Sequence, residues 1–307
     1  MGTHDSPPGD GPTEHEHEHE NQQGHQHGHH HDHDRGPDFD WEAMADSLEL
    51  DGSIMLPLVS DVVQSLSATV NWSQIGHVLD VGCGPGVIAG ALARHAPWAS
   101  VTGLDTSEPL LERLQTRMAA DGLGERVIAV NADLEAPLPP MEPADVIWAS
   151  MVLHHVNDPA AVLASLLQQL RPGGTLVLVE FAGPAAVLPS DDPLLASGAW
   201  SRLESNVAAV LRERLGLDPV TLDWPGRLAT AGFTAIADRT RVAWHDAPLE
   251  GRSRRWIAQH VNRGLRTVGD MLPTADIAAL QDLVDLAARR SDLFVRIERR
   301  VITARRP

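Results

Sequence analysis

Residues 77–86 read His-Val-Leu-Asp-Val-Gly-Cys-Gly-Pro-Gly, a short apolar run carrying an acid and followed at once by glycines at 82, 84 and 86. A fully buried parallel strand is a continuous apolar run such as Val78 to Val81. A chain that must turn sharply beneath a ligand needs residues without Cβ, which accept positive φ and let the backbone approach closely. The segment therefore reads as a strand, a glycine loop and the start of a helix, the arrangement of a nucleotide-type cofactor site. Two further acids stand at matching points, Asp105 after a second apolar run and Asp133 after a third.

Glycine spacing separates the candidate cofactors. Dinucleotide loops run G-x-G-x-x-G, with the pyrophosphate resting on a helix N-terminus. Here the spacing is G-x-G-x-G, and Val87 occupies the place of the third dinucleotide glycine. The run Leu79 to Gly86 resembles the first motif of class I S-adenosylmethionine (SAM) methyltransferases, whose loop wraps the amino-acid end of a cofactor that has no phosphate. Leu153-His154-His155-Val156-Asn157-Asp158-Pro159 and the turn Arg171-Pro172-Gly173-Gly174 also resemble that family. The resemblance is firm over residues 75–182 and weaker beyond. It implies an α/β fold with a Rossmann-like sheet, mostly parallel with a C-terminal antiparallel hairpin, plus a helical cap and a helical insertion.

The chain divides accordingly. Residues 1–36 contain no regularly spaced apolar residue and are expected to be a disordered, His-rich acidic arm. Residues 37–72 read as a cap of two short helices broken near Asp51-Gly52 and Pro57. Residues 73–245 form the expected SAM-binding core, with parallel strands at Val78 to Val81, Val101 to Leu104, Val127 to Val130, Val146 to Ala149 and Leu176 to Val179. Ser107 and Asp158 are placed to cap the following helices, Asp158 with proline at the first helical position. Residues 246–292 are an arginine-rich helical insertion over the substrate side, and residues 293–307 supply a final strand that pairs with Phe233 to Trp244.

Composition removes several chemistries. Among 307 residues there is no lysine and no tyrosine, so Schiff-base catalysis, a P-loop lysine and a phenolic base are excluded. Cys83 is the only cysteine, which excludes an internal disulfide and cysteine-rich metal sites and fits a reducing compartment. Twenty-four arginines beside abundant Ala, Gly and Pro suit a GC-rich bacterial gene. No run approaches the roughly 18 apolar residues of a membrane span, and the N-terminus shows no signal core, so a cytoplasmic protein without membrane contact is expected. The net charge of -18 is uneven. Residues 41–238 carry 24 acids against nine arginines, whereas residues 239–307 carry 14 arginines against eight acids. An acidic body repels phosphate backbones, so nucleic acid is not the expected partner. The basic C-terminal stretch can attract a carboxylate or the chain's own acidic arm. The oligomeric state is left open.

By the resemblance, Gly82, Gly84 and Gly86 admit the amino-acid end of SAM, Asp80 reaches its ammonium, Asp105 holds both ribose hydroxyls and Asp133 accepts from the adenine amine. Three acids at successive strand tips fit the rule that ligands of open α/β sheets bind beyond the carboxyl ends of the strands. Methyl transfer needs positioning and, for an oxygen or nitrogen acceptor, one base. The candidates are His154, His155 and Glu180, each just beyond a strand end. Trp41, Trp148 and Trp200 are candidates for an aromatic pocket wall or for core. No Asp-Pro-Pro-Tyr or Asn-Pro-Pro-Tyr motif follows the fourth strand, and the single cysteine lies in the glycine loop, so a small-molecule acceptor is expected. The arm is a separate feature. It holds His15, His17, His19, His25, His27, His29, His30, His31 and His33 among carboxylates, a donor set suited to Zn or Ni in a non-catalytic role. Two rival readings remain, an NAD(P)-dependent Rossmann oxidoreductase and a metal-sensing protein whose methyltransferase core is silent.

Overall fold

A computed structural model describes residues 39–307; the His-rich arm and its nine candidate metal ligands lie outside the described residues. The chain enters through helix α1 (Trp41–Leu66) and then alternates: β1 (His77–Val81), α2 (Val87–His95), β2 (Ser100–Asp105), α3 (Glu108–Ala120), β3 (Val127–Asn131), β4 (Ala144–Ser150), α4 (Pro159–Gln169) and β5 (Leu170–Phe181). Helices α5 (Pro193–Ala196), α6 (Ala199–Leu215) and α7 (Trp224–Thr230) lead to β6 (Thr234–His245). Helices α8 (Gly251–Val268) and α9 (Thr274–Leu286) precede β7 (Val295–Arg305).

The seven strands form one sheet in the order β3-β2-β1-β4-β5-β7-β6. Strands β1 to β5 are parallel, and β7 runs antiparallel between β5 and β6. All five residues of β1 are buried, as a strand covered on both faces requires. Strand order reverses between β1 and β4, and ligands of open α/β sheets bind beyond the carboxyl ends at such a switch point.

The expected break of the N-terminal cap does not occur. One 26-residue helix runs through both Gly52 and Pro57. An interior proline costs about 3 kcal/mol and a glycine about 1 kcal/mol. Against this, Ile54, Leu58, Val59, Val62, Val63 and Leu66 are buried on one stripe, and each aliphatic side chain fully removed from water contributes about 1.5–3 kcal/mol. Burial prevails. Gly52 also serves a contact, since a Cβ there would stand 2.9 Å from Val87 Cβ at the start of α2. The N-terminal half of α1 thus lies over the glycine loop.

Two local expectations change. Ser107 precedes α3, but its side chain makes no capping bond and its Oγ is buried without a partner among the described residues. The Arg171 to Gly174 turn lies inside β5 as an irregularity in register with β4, between Ala144 and Val146. Asp158 caps α4 as expected, accepting from Ala160 and Ala161 N–H.

Candidate functional site

The chain leaves β1 through Gly82, Gly84 and Gly86, whose φ values of 67°, 50° and 79° lie in the left-handed region. A Cβ on Gly82 would come within 2.5 Å of Val152, and one on Gly86 within 2.5 Å of Leu114. These two glycines permit tight packing. A Cβ on Gly84 would meet nothing within 4 Å among the described residues, so the loop faces open space there. Gly84 N–H donates to Asp105 Oδ2 at 2.8 Å and Ser107 N–H to Asp105 Oδ1 at 3.0 Å, tying the tip of β2 to the loop. Asp133, half-buried beyond β3, accepts from Glu135 N–H at 2.9 Å.

Asp80 is 2% exposed and its Oδ2 has no partner among the described residues. Burial pushes its carboxyl up to about 8; the negative Asp105 adds to the shift, and the Ala89 backbone N–H opposes it. An orphaned buried carboxyl is costly unless something completes it.

On the other side of the switch point, Met151 takes φ 58°, unusual for a side chain of its size, and turns the chain from β4 into a single 3-10 turn, Leu153–His155. That turn buries His154 and sets its Nδ1 2.7 Å from Glu180 Oε2. The His154 ring lies 4.1 Å from the ring of exposed His155 and 4.9 Å, edge-on, from that of Phe181. Glu180 is not beyond its strand. It is the penultimate residue of β5, fully buried, with Oε1 unpartnered among the described residues. The three candidates therefore separate into a buried pair and an exposed neighbour. Trp148 and Trp200 are buried core residues, and Trp41 is half-buried with Phe39 edge-on at 4.8 Å.

Asp51, Trp256 and Arg299 were not singled out from the sequence. Asp51 of α1 accepts from Trp256 Nε1 at 2.8 Å and pairs with Arg263 at 2.8 Å, fastening α1 to α8. Arg299 falls at an inward slot of β7 in the alternation Val295, Ile297, Arg299, Val301, where every other member is buried and apolar. That charged interruption was legible. Four buried polar atoms without partners among the described residues, on Asp80, Ser107, Glu180 and Arg299, cluster along one edge of the sheet, at or beside the carboxyl ends of β1, β2 and β5.

Comparison with known proteins agrees with this geometry. Residues 78–174 match the family described as Methyltransferase domain. An uncharacterized methyltransferase of Mycobacterium bovis is 36% identical over 138 residues, 45% of this chain and 62% of that protein. A trans-aconitate 2-methyltransferase of Streptomyces coelicolor is 32% identical over 214 residues, 68% of this chain and 66% of its own. The matched region spans under two thirds of either relative. A crystal structure from Bacillus halodurans, of a protein assigned as a methyltransferase, superposes with a TM-score of 0.50 at 19% identity, covering 80% of this chain and 98% of that one. The fold is a Rossmann-like α/β sheet with glycine loop and strand-tip acids. Residues 78–174 thus match a methyltransferase domain, and that match lies within the Rossmann-like sheet.

Proposed function

We propose that this protein transfers a methyl group from SAM to a small-molecule acceptor. The observation that carries the reading is the row of buried, incompletely partnered polar groups beside an open glycine loop. Asp80 offers a carboxyl to an ammonium, Gly84 leaves room for close backbone approach, and Asp105 and Asp133 offer acceptors to hydroxyl and amino groups. When bound, SAM supplies a sulfonium-activated methyl group. Everything else falls to the chain's own residues.

His154 is the base in this proposal. With Nδ1–H donating to Glu180, the lone pair sits on Nε2, where it can take a proton from a hydroxyl or amine. Glu180 acts as a positioning residue, since its side-chain hydrogen-bond partner among the described residues is the imidazole it orients. His155 is the second candidate, at the exposed rim. Helix α1 packs beside the loop through Gly52 and Val87.

The acidic body supports a small acceptor over nucleic acid, and no described helix is long and apolar enough to cross a membrane. A cytoplasmic location rests on the sequence alone. So does a separate metal-binding role for the arm, with Zn or Ni held by His15, His17, His19, His25, His27, His29, His30, His31 and His33. Among the described residues no cluster of His, Cys, Asp or Glu is arranged to hold a metal.

Calorimetry with SAM, S-adenosylhomocysteine and NAD tests the cofactor, with NAD binding alone the overturning result. His154→Gln should lower turnover by about a hundredfold or more while leaving SAM affinity within about twofold. Equal turnover in that variant would remove His154 as base.

A further inference from the structure

We infer that Arg299 is an acceptor-site residue and that the acceptor presents a carboxylate to it. This inference rests on the methyl-transfer reading and narrows its substrate class.

Strand β7 carries four arginines, and their partners differ. Arg296 pairs with Glu298, Arg300 with Asp238 and the carbonyls of Val220 and Leu222, and Arg305 with Thr69 O at 2.7 Å. Arg299 makes no ion pair with a described residue. Its Nη1 donates to the adjacent Glu298 carbonyl at 2.9 Å, its Nε is buried without a partner, and its guanidinium carbon lies 5.4 Å from the Phe181 ring centre. Burial lowers its pKa to about 10, with Glu180 and then Asp51 pulling it back up, so it stays cationic at neutral pH. A desolvated guanidinium that feels nearby negative charge but makes no ion pair with a described residue is a standing cost to the fold, and a planar five-donor fork is matched by a carboxylate.

Its place in the sheet sets which ligand it meets. Arg299 is directly opposite Phe181, the last residue of β5, whose ring touches His154. The proposed base and the unpaired cation therefore flank one aromatic ring. The glycine loop follows β1, which is three strand positions from β7, roughly 14 Å at the usual interstrand spacing. Arg299 thus belongs with the acceptor and not with the cofactor's own carboxylate. The surroundings also select the anion. Glu180 and Asp51 contribute negative charge around Arg299, and Asp51 is already held by Arg263 at 2.8 Å. Among the described residues there, Arg299 is the cation without an ion pair, and a single guanidinium matches a monoanionic carboxylate better than a dianionic phosphate.

The test uses the full chain saturated with S-adenosylhomocysteine. Thermal shift and calorimetry are run with paired probes of one shape, benzoate against benzamide and hexanoate against hexanamide, with phenyl phosphate as the alternative anion. Wild type should be stabilised by at least one carboxylate and not by its amide. Arg299→Gln should lose that carboxylate binding by about tenfold or more, and Arg299→Lys should retain part of it. Arg299→Met should also raise the Tm of the ligand-free protein, because an uncompensated charge is removed. A structural role in neutralising Glu180 predicts the opposite sign. Lack of carboxylate stabilisation in wild type, equal stabilisation in Arg299→Gln, preference for phenyl phosphate, or weakened S-adenosylhomocysteine binding in the variants would each overturn the assignment. If S-adenosylhomocysteine itself fails to bind wild type, the methyl-transfer reading fails instead.

Discussion

Asp80 holds a proton in the folded, ligand-free protein that the same residue would release in water. Its folded pKa of about 8 lies above the unfolded value near 4. The native state therefore binds more protons than the unfolded chain between those limits, and stability falls as pH rises from about 4 to about 8, by at most about 1.4 kcal/mol per pH unit. Urea unfolding at a series of pH values should show this slope in wild type and a flatter one in Asp80→Asn. If an ammonium completes the site, binding ionises Asp80 and releases a proton. S-adenosylhomocysteine affinity should then climb toward pH 8, and calorimetry in buffers of different ionisation enthalpy should detect the proton. The glycines give a second residue-level contrast. Gly82→Ala meets both a positive φ and Val152, and should destabilise by about 2–4 kcal/mol. Gly84→Ala meets only the positive φ, so its unfolding midpoint in urea should fall less while cofactor affinity drops. Equal stability losses would contradict the open space beside Gly84.

At the scale of elements, α1 is held over the loop by ion pairs as well as by its apolar stripe. Arg113 and Arg117 of α3 grip Glu49 at 2.7 and 2.6 Å, and Arg113 also pairs with Asp46. Burial raises the Glu49 pKa, but hydrogen bonds from both arginines outweigh it and leave the carboxyl below its usual range. That contribution is fully present above the ordinary glutamate pKa of about 4.3 and is lost as pH falls below it. These side chains are partly solvated, so the clasp is worth about 1 kcal/mol and is weakened by salt. Glu49→Gln should speed amide exchange in residues 41–52 and leave residues 58–66, anchored by burial, unchanged. Uniform exchange along the helix would show that the pairs do not hold its N-terminal half. The same helix shows why local punctuation misled. Asp51-Gly52 and Pro57 are breakers in an isolated chain, and only the sheet beneath them supplies the burial that overrides the break.

At the scale of the molecule, the acidic arm and the basic C-terminal stretch are the two charge extremes of the chain. If the arm acts independently, deleting residues 1–38 should abolish most Zn or Ni binding measured by calorimetry and leave S-adenosylhomocysteine affinity unchanged. A Zn-dependent change in that affinity, seen only with the full chain, would favour regulation through the arginines of residues 239–307. The strands were legible because each buried parallel strand must be an apolar run, and the cofactor side was legible because its residues lie at the ends of those runs. Glycines and acids at 80 to 86, 105 and 133 are ordered along the chain as they are along the sheet. The acceptor side was not. His154 and Glu180 are 26 residues apart and meet because β4 and β5 are neighbours and a strained turn at Met151 folds the histidine back. Arg299 meets Phe181 beside them because β7 inserts between β5 and β6, a choice set by sheet pairing. The sequence alone determined where the five parallel strands and the cofactor loop lie, since those depend on local apolar runs and on residues that lack Cβ. Tertiary structure alone decided that α1 is continuous, that Glu180 meets His154, and that Arg299 makes no ion pair with a described residue, because burial and pairing are properties of neighbours that the chain brings from far apart.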